Sequence, residues 1–335
     1  MTGTEIEAAK LLLARLGVRP EDLLASAASN ATVPTFDEYI PRLESAVPAG
    51  TLRAYGPYWR RIRESWHDRP IDEPTATEIR QLIEHTKRSA VIRRNACGGR
   101  SAAEHMVAAL RCLYRHAQHD GYIARAAHPA SEIAKPRRLA SSRHALPDHL
   151  LADINHVAAT TGNDPDLDAL IVRLHIETAC RRGGALALRP DDLDTEQCLI
   201  RLREKGGTVR WQPVTPTLMG ALVKHCERGA EPGEQLLRYR NGQPITGRRY
   251  DYLWNRIGRH LPWVATQQVT AHWLRHTTLT WVERHCGYAV ARAFAGHAEP
   301  SGNAGATLTY IRASMFEVAY ALSAMTGEAH PLTTT

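Results

Sequence analysis

The sequence predicts a mainly α-helical protein of two domains, with a small antiparallel β-sheet in the second. Three observations predict it. Between Thr35 and Ile123 apolar residues recur at i, i+3, i+4 spacing, the pattern of helices that each bury one face. The stretch AKPRRLASSRHALPDHL then breaks the pattern; it is basic, holds Pro and Ser, and is poor in large apolar residues, as an exposed interdomain linker is. Beyond it, CLIRLREKGGTVRWQPVT alternates like two short strands around a Gly-Gly turn.

In chain order, residues 5–25 read as one or two small helices and Ser26 to Pro34 as a polar linker, so that 1–32 is a short N-terminal helical segment. Residues 33–136 read as an all-helical bundle, with helices in FDEYIPRLE, TLRAYGPYWRRIRESW, ATEIRQLIEHTKRS and SAAEHMVAALRCLYRHAQHDGYI. In the last of these, Ser101 followed by Glu104 predicts a capping box, in which side chains satisfy first-turn N–H groups that lack a helical partner. Gly121 marks the stop. Residues 137–148 form the linker and 149–335 the second domain. That domain opens with helices at 149–160 and 166–178, runs through the hairpin, and continues with helices near 216–228, 247–260 and 271–285. Near its end, SMFEVAYALSAMTG sets Met315, Phe316, Ala319, Leu322 and Met325 along one helical face.

With 335 residues, 43% hydrophobic and 23% charged, the chain has apolar material for two cores and is not a disordered tail. Its net charge of +7 favours a polyanionic partner. Of its 42 basic residues only Lys10, Lys87, Lys135, Lys205 and Lys224 are lysines. The rest are arginines, whose forked guanidinium meets a phosphate through two parallel hydrogen bonds. A coding bias would give the same skew, but the scarcity makes each lysine informative. The six cysteines are scattered without a C-x-x-C pair, which argues against a zinc ribbon or redox motif and fits free thiols in a reducing cytoplasm. The N-terminal run lacks the basic start of a signal peptide, and no apolar run is long enough to span a membrane. The expected setting is therefore the cytoplasm, with no membrane partner.

Five places in the second domain carry polar chemistry, and each also has an ordinary explanation. Arg181 lies in TACRRGGALALRPDDLD at the edge of a buried helix, where a charge needs an anionic partner; Asp191 or Asp192 could supply it within the chain. Lys205 sits at the hairpin tip, where lysines are usually solvated. Yet a chain that otherwise chooses arginine keeps here an ammonium, which can hand over a proton where a guanidinium cannot. In AHWLRHTTLTWVERH, His272 and Arg275 project from one helical face, as an ordinary helix-start pair would. His276 stands four residues after His272, but the zinc helix H-E-x-x-H needs Glu where this chain has Trp273, so a metal site is disfavoured. His297 follows Gly296 in AGHAEPSG, and Tyr310 lies in ATLTYIRAS, where a lone tyrosine ordinarily serves packing.

Together these residues are Arg181, Lys205, His272-x-x-Arg275, Gly296-His297 and Tyr310, and their order and local wording resemble the tyrosine recombinases, or phage integrases. Thr178-Ala179-Cys180-Arg181, running on to Leu186-Ala187-Leu188 and Asp192-Leu193-Asp194, is similar to the family's first box. His272-Trp273-Leu274-Arg275-His276 matches its His-x-Leu-Arg-His box in full. Lys205 in Glu-Lys-Gly-Gly stands where the family has a lysine on a β-hairpin, and Ala295-Gly296-His297 where it has Leu-Gly-His. Ser101 to Pro136, with its Asp-Gly-Tyr-Ile turn, looks like the closing helix of the family's core-binding domain. The resemblance covers about residues 33–325. Three features depart from it: Gly184 stands where members usually carry an acid three positions after the first Arg, Ala295 replaces Leu, and a Gly-rich EPSGNAGAT segment lengthens the path from His297 to Tyr310. The first predicts altered packing around the arginine rather than inactivity.

The resemblance implies a helical core DNA-binding domain joined to an α+β catalytic domain, closing as a clamp on double-stranded DNA. It implies site-specific cleavage and rejoining through a 3′-phosphotyrosyl intermediate. Arg181, Arg275 and His297 would hold the scissile phosphate, Tyr310 would attack it, and Lys205 would protonate the departing 5′-oxygen. His272 would take the tyrosine proton or bond a phosphate oxygen. It further implies a nucleoid-associated homotetramer on DNA, whose last helix docks on a neighbouring subunit or on its own domain, and leaves room for an accessory directionality protein. No cofactor or metal is implied, and the chain has no G-x-x-x-x-G-K-[ST] loop. Two other readings stay open: a type IB topoisomerase-like relaxing enzyme, which shares the nucleophile, and a DNA-binding scaffold with impaired catalysis.

Overall fold

The computed structural model describes residues 10–15, 33–91, 97–124, 129–131, 133–136, 143–204, 207–296 and 313–334. The chain divides into two compact units, Met1–Ala140 and Ser141–Thr335. Of the expected N-terminal helices, residues 10–15 are helical; the rest of that segment and much of the expected linker lie outside the described residues.

Among the described residues, four helices share the core of the first unit: α1 (Phe36–Ala46), α2 (Ala49–Trp66), α3 (Ala76–Arg88) and α4 (Arg100–His119). Their shared core joins Phe36, Tyr39, Trp59, Ile62, Ile79 and Leu110. The indole N–H of Trp59 donates to the Ala109 carbonyl at 3.1 Å, the partner that a buried indole requires. Capping boxes begin α1 and α3, where Thr35 pairs with Glu38 and Thr75 with Glu78. The expected box at Ser101 does not form. Instead α4 starts at Arg100, capped by left-handed Gly99 with no side-chain bond. A Cβ on Gly99 would lie 2.0 Å from the Lys87 carbonyl oxygen. The chain thus enters α4 pressed against the end of α3, and a glycine turn takes the place of a serine cap. Gly121 does follow the helix, at φ +81°.

The second unit runs α5 (Asp148–Thr160), α6 (Pro165–Thr178), α7 (Arg182–Leu186), β1 (Leu193–Asp194), β2 (Leu199–Arg203) and β3 (Val209–Pro213). It continues with α8 (Pro216–Cys226), α9 (Gly247–His260), α10 (Pro262–Gln267), α11 (Ala271–Ala295) and α12 (Met315–Thr326). The hairpin forms as expected, with Leu199 opposite Pro213 and Arg203 opposite Val209. β1 pairs Leu193 with Ile200 and makes a three-stranded antiparallel sheet in the order β1-β2-β3. Two residues cannot display an alternating pattern, so β1 is invisible to sequence periodicity.

The central helix is α6, which packs against α5, α8 and α11 and buries Leu167, Ile171, Val172 and Leu174. Near its start, Asp168 is wholly buried between two arginines of α9; Arg249 Nη2 lies 2.6 Å and Arg256 Nη2 2.7 Å from its Oδ2. Before α5, the Leu146 N–H donates to Thr277 Oγ1 at 3.0 Å, which fixes the entry of the unit against α11. α11 breaks at Gly287, whose φ of +86° lies outside the helical range, and a second helical stretch runs on to Ala295. α12 packs on α11 and β3 of its own unit, burying Val318, Ala319, Ala321 and Leu322. The buried face therefore differs from the expected one. The small side chains of Ala319 and Ala321 let the helix seat closely, and Met315 and Phe316 turn outward with Tyr320.

Candidate active site

The site is built on the turn from α6 to α7, Thr178-Ala179-Cys180-Arg181. Ala179 ends α6 in a left-handed conformation at φ +48°, uncommon for a residue with a Cβ. Thr178 Oγ1 catches the Cys180 N–H at 3.2 Å. Behind the turn, buried His175 sits with Nδ1 3.0 Å from the Cys180 carbonyl oxygen and Nε2 2.9 Å from the Tyr250 hydroxyl. This reversal leaves Arg181 extended, as the N-cap of a five-residue helix, with its side chain at the surface of the core.

The anionic partner of Arg181 is neither Asp191 nor Asp192. It is Glu204, at the root of the hairpin tip. Glu204 Oε1 accepts the main-chain N–H of Arg181 at 2.7 Å, and Oε2 accepts from Arg181 Nη1 at 2.7 Å. Asp192 is already engaged by Arg201, whose Nε donates to it at 2.9 Å, and by Arg203. Both belong to β2, which packs beside the turn Pro190–Asp192.

Arg275, on α11, is buried and donates to the Ala179 carbonyl and, at 2.8 Å, to the Ala295 carbonyl. It joins the turn before Arg181 to the end of its own helix. Burial, followed by repulsion from Arg181, lowers its pKa to about 10, with Glu204 opposing, so it remains charged at neutral pH. Arg210 of β3 completes the cluster. Its Nη2 donates to the Thr178 carbonyl at 3.2 Å, its Nη1 to Gln212 Oε1, and its Nε lies 3.8 Å from Glu204 Oε2. Burial lowers its pKa as well. Arg181, Arg210 and Arg275 thus lie around one carboxylate, a charge balance that favours an anionic ligand.

His272 lies one helical turn before Arg275, at the solvent edge of α11. Its pKa is lowered by desolvation first, then by the positive charges of Arg143, Arg275, His276 and Arg181. The imidazole is therefore neutral at pH 7 and able to accept a proton. His276 is turned toward Thr280, with Nδ1 3.2 Å from Oγ1. Among the described residues, the one group of His, Cys and carboxylates close enough to share a metal ion is exposed Asp37, His67 and Asp68 in the first unit.

Of the six residues singled out in the sequence, Arg181, His272 and Arg275 come together here. Lys205, His297 and Tyr310 lie outside the described residues. Two of their chain neighbours reach the cluster: Glu204 holds Arg181, and Gly296 abuts Arg210. At φ +62°, a Cβ on Gly296 would stand 2.3 Å from Arg210 Cδ, so both conformation and space demand glycine before His297. Glu204 and Arg210 are the residues that sequence reasoning missed. The signal for Arg210 was the strand alternation, which pairs it with buried Leu202 and so turns a charge inward. For Glu204 no local signal existed beyond its place next to Lys205.

Residues 146–314, about half of the chain, match the profile of the phage integrase family. The tyrosine recombinase XerC of Chromobacterium violaceum is 28% identical over 253 residues, spanning 72% of this chain and 79% of that protein. Among solved structures, a lambda integrase tetramer bound to a Holliday junction superposes with a TM-score of 0.61 at 18% identity, over 92% of this chain and 86% of that one. The Tn1549 transposon integrase in complex with circular intermediate DNA gives 0.60 at 17% identity, over 86% and 98%. The family match takes in every box from Thr178 to Tyr310, including the turn that Arg275 ties, and the chain belongs to the phage integrase family of tyrosine-type, site-specific recombinases.

Proposed function

We propose that this recombinase cuts and rejoins duplex DNA through a covalent link to Tyr310. The observation that supports this most is the meeting of Arg181 with the α11 pair His272 and Arg275 around one turn, although Arg181 comes from a distant part of the chain. Breaking a phosphodiester requires three things: charge on the non-bridging oxygens must be met, the nucleophile must lose a proton, and the leaving oxygen must gain one. The guanidiniums of Arg181 and Arg275 would meet the phosphate charge, with His297 assisting. Tyr310 Oη would bond to phosphorus as the bond from phosphorus to the 5′-oxygen breaks. Its phenolic proton would pass to neutral His272, and Lys205 would give a proton to the leaving 5′-oxygen. The products are a 3′-phosphotyrosyl ester and a free 5′-hydroxyl. Attack by the 5′-hydroxyl of a partner strand reverses the step, and because the ester retains the bond energy, no nucleotide is consumed.

Exposed Arg53, Arg60, Arg80 and Arg88 fit the first unit for phosphate contacts, which would make binding fall steeply with salt. Assembly as a homotetramer on paired sites belongs to the proposal, in keeping with the lambda integrase tetramer on its junction. In it, the outward Met315, Phe316 and Tyr320 of α12 would contact a neighbouring subunit.

The test uses a pool of nicked duplexes of randomised sequence, in which cleavage releases a short fragment and traps the protein on the DNA. Wild-type protein is expected to give a denaturant-resistant adduct, whose sequence reveals the site, and Tyr310→Phe none. An adduct that survives Tyr310→Phe would identify a different nucleophile. Binding without any adduct would favour the impaired scaffold, and plasmid relaxation without a complex joining two sites would favour the topoisomerase-like reading.

A further inference from the structure

We propose that Glu204 is a positioning residue of this site: its single buried carboxylate sets both Arg181 and the root of the hairpin tip, and residue 184 is glycine so that this carboxylate fits. The inference rests on the reading of the site given under Proposed function.

The Glu204 side chain is wholly buried, a costly place for a carboxylate unless charges and donors meet it. Here they do. One oxygen takes the Arg181 main-chain N–H and the other its Nη1, while Arg210 Nε stands 3.8 Å from the second oxygen. The pair of bonds to Arg181 sets where its backbone turns and how its guanidinium is oriented. A planar guanidinium held along one edge presents its other donors in a fixed direction, which is what recognition of a tetrahedral phosphate requires. Glu204 also closes the tip itself, because its own N–H donates to the Thr208 carbonyl at 2.8 Å. One residue thus ties Arg181 to the root of the hairpin, next in sequence to Lys205.

Gly184 supplies the second observation. It lies three residues after Arg181, and its N–H donates to the Arg181 carbonyl at 2.9 Å. It lies inside α7 and outside the left-handed region, so its backbone would accept any residue. What a side chain would meet there is Glu204, closely enough that the buried carboxylate would have to give by a few tenths of an ångström. A Cβ there would stand 3.1 Å from Glu204 Cγ and 3.4 Å from Glu204 Oε1. The carboxylate missing from position 184 is replaced in space by one that arrives from the hairpin.

The experiment moves the carboxylate back. Single-turnover adduct formation is measured on the nicked duplex selected by the wild-type protein, together with DNA affinity and melting temperature. Glu204→Gln keeps the shape and removes the charge; it is expected to slow the adduct step by about tenfold or more while DNA affinity changes by less than about threefold. Gly184→Asp alone crowds two carboxylates and is expected to be impaired to a similar degree. The double variant Gly184→Asp/Glu204→Ala is expected to recover to within about fivefold of wild type, a coupling that two independent structural lesions would not show. Wild-type rates in Glu204→Gln overturn the proposal. So does a double variant that melts like wild type yet reacts no faster than Glu204→Ala. Failure of the wild-type protein to form an adduct overturns the Tyr310 reading and this inference together, whereas an active wild type with an indifferent Glu204→Gln overturns this inference alone.

Discussion

The guanidinium of Arg275 donates to the carbonyl of Ala179, 96 residues earlier in the chain. Ala179 is the left-handed residue that turns the chain toward Arg181, so the second arginine of the site holds the turn that presents the first. Lysine keeps the charge at position 275 but cannot span both the Ala179 and Ala295 carbonyls. Arg275→Lys is expected to slow adduct formation by about a hundredfold. It should also lower thermal stability, since a buried carbonyl left without a donor costs about 1–3 kcal/mol. Single-turnover kinetics and melting curves check both; a variant unchanged in rate would mean that the guanidinium geometry is not needed.

If His272 takes the tyrosine proton as proposed, its depressed pKa would set the pH dependence of cleavage. Its neutral form persists below the ordinary histidine value of 6.5, first because burial disfavours the charged ring and then because protonation would add a charge beside Arg143, Arg275 and Arg181. The adduct rate is therefore expected to hold steady as pH falls through 6.5 and to decline only below it. Arg143→Gln removes one repelling charge, so its acid limb should move toward higher pH. An unmoved limb would show that another group titrates.

Stability and chemistry should separate at Asp168. It lies at the end of α6 remote from the turn at Ala179, and its removal leaves Arg249 and Arg256 buried without their carboxylate. Asp168→Ala is expected to lose about 3–5 kcal/mol of folding stability, read by chemical denaturation. The adduct rate of the protein that remains folded should stay near wild type.

Lys205 carries the proton for the leaving oxygen in the proposed step. Lys205→Ala is expected to cleave slowly on ordinary DNA and to recover largely when the leaving group is a 5′-thiol, which departs without protonation. Kinetics on the matched pair of substrates decide it, since equal defects on both would remove the proton-donor role.

Sequence by itself determined what depends on near neighbours. Apolar spacing marked the longer helices of both units, though not the short α10 or the stretch of α11 beyond Gly287; alternation about Gly206-Gly207 marked the hairpin, and the order of boxes from Thr178 to Tyr310 marked the family. These signals survive because helix faces, strand faces and tight turns are decided within a few residues. The tertiary structure alone decided which charges meet. Asp191 and Asp192 are near Arg181 in the chain, yet Glu204 holds it, because the reversal at Ala179 brings the hairpin and not the following turn against the arginine. In the same way α3 pressing on Gly99 overrode the serine cap of α4, and the seat of α12 on α11 and β3 chose which side of that helix is buried. A buried ion pair or a packed face is fixed by the approach of segments far apart in sequence, and no local pattern records that approach.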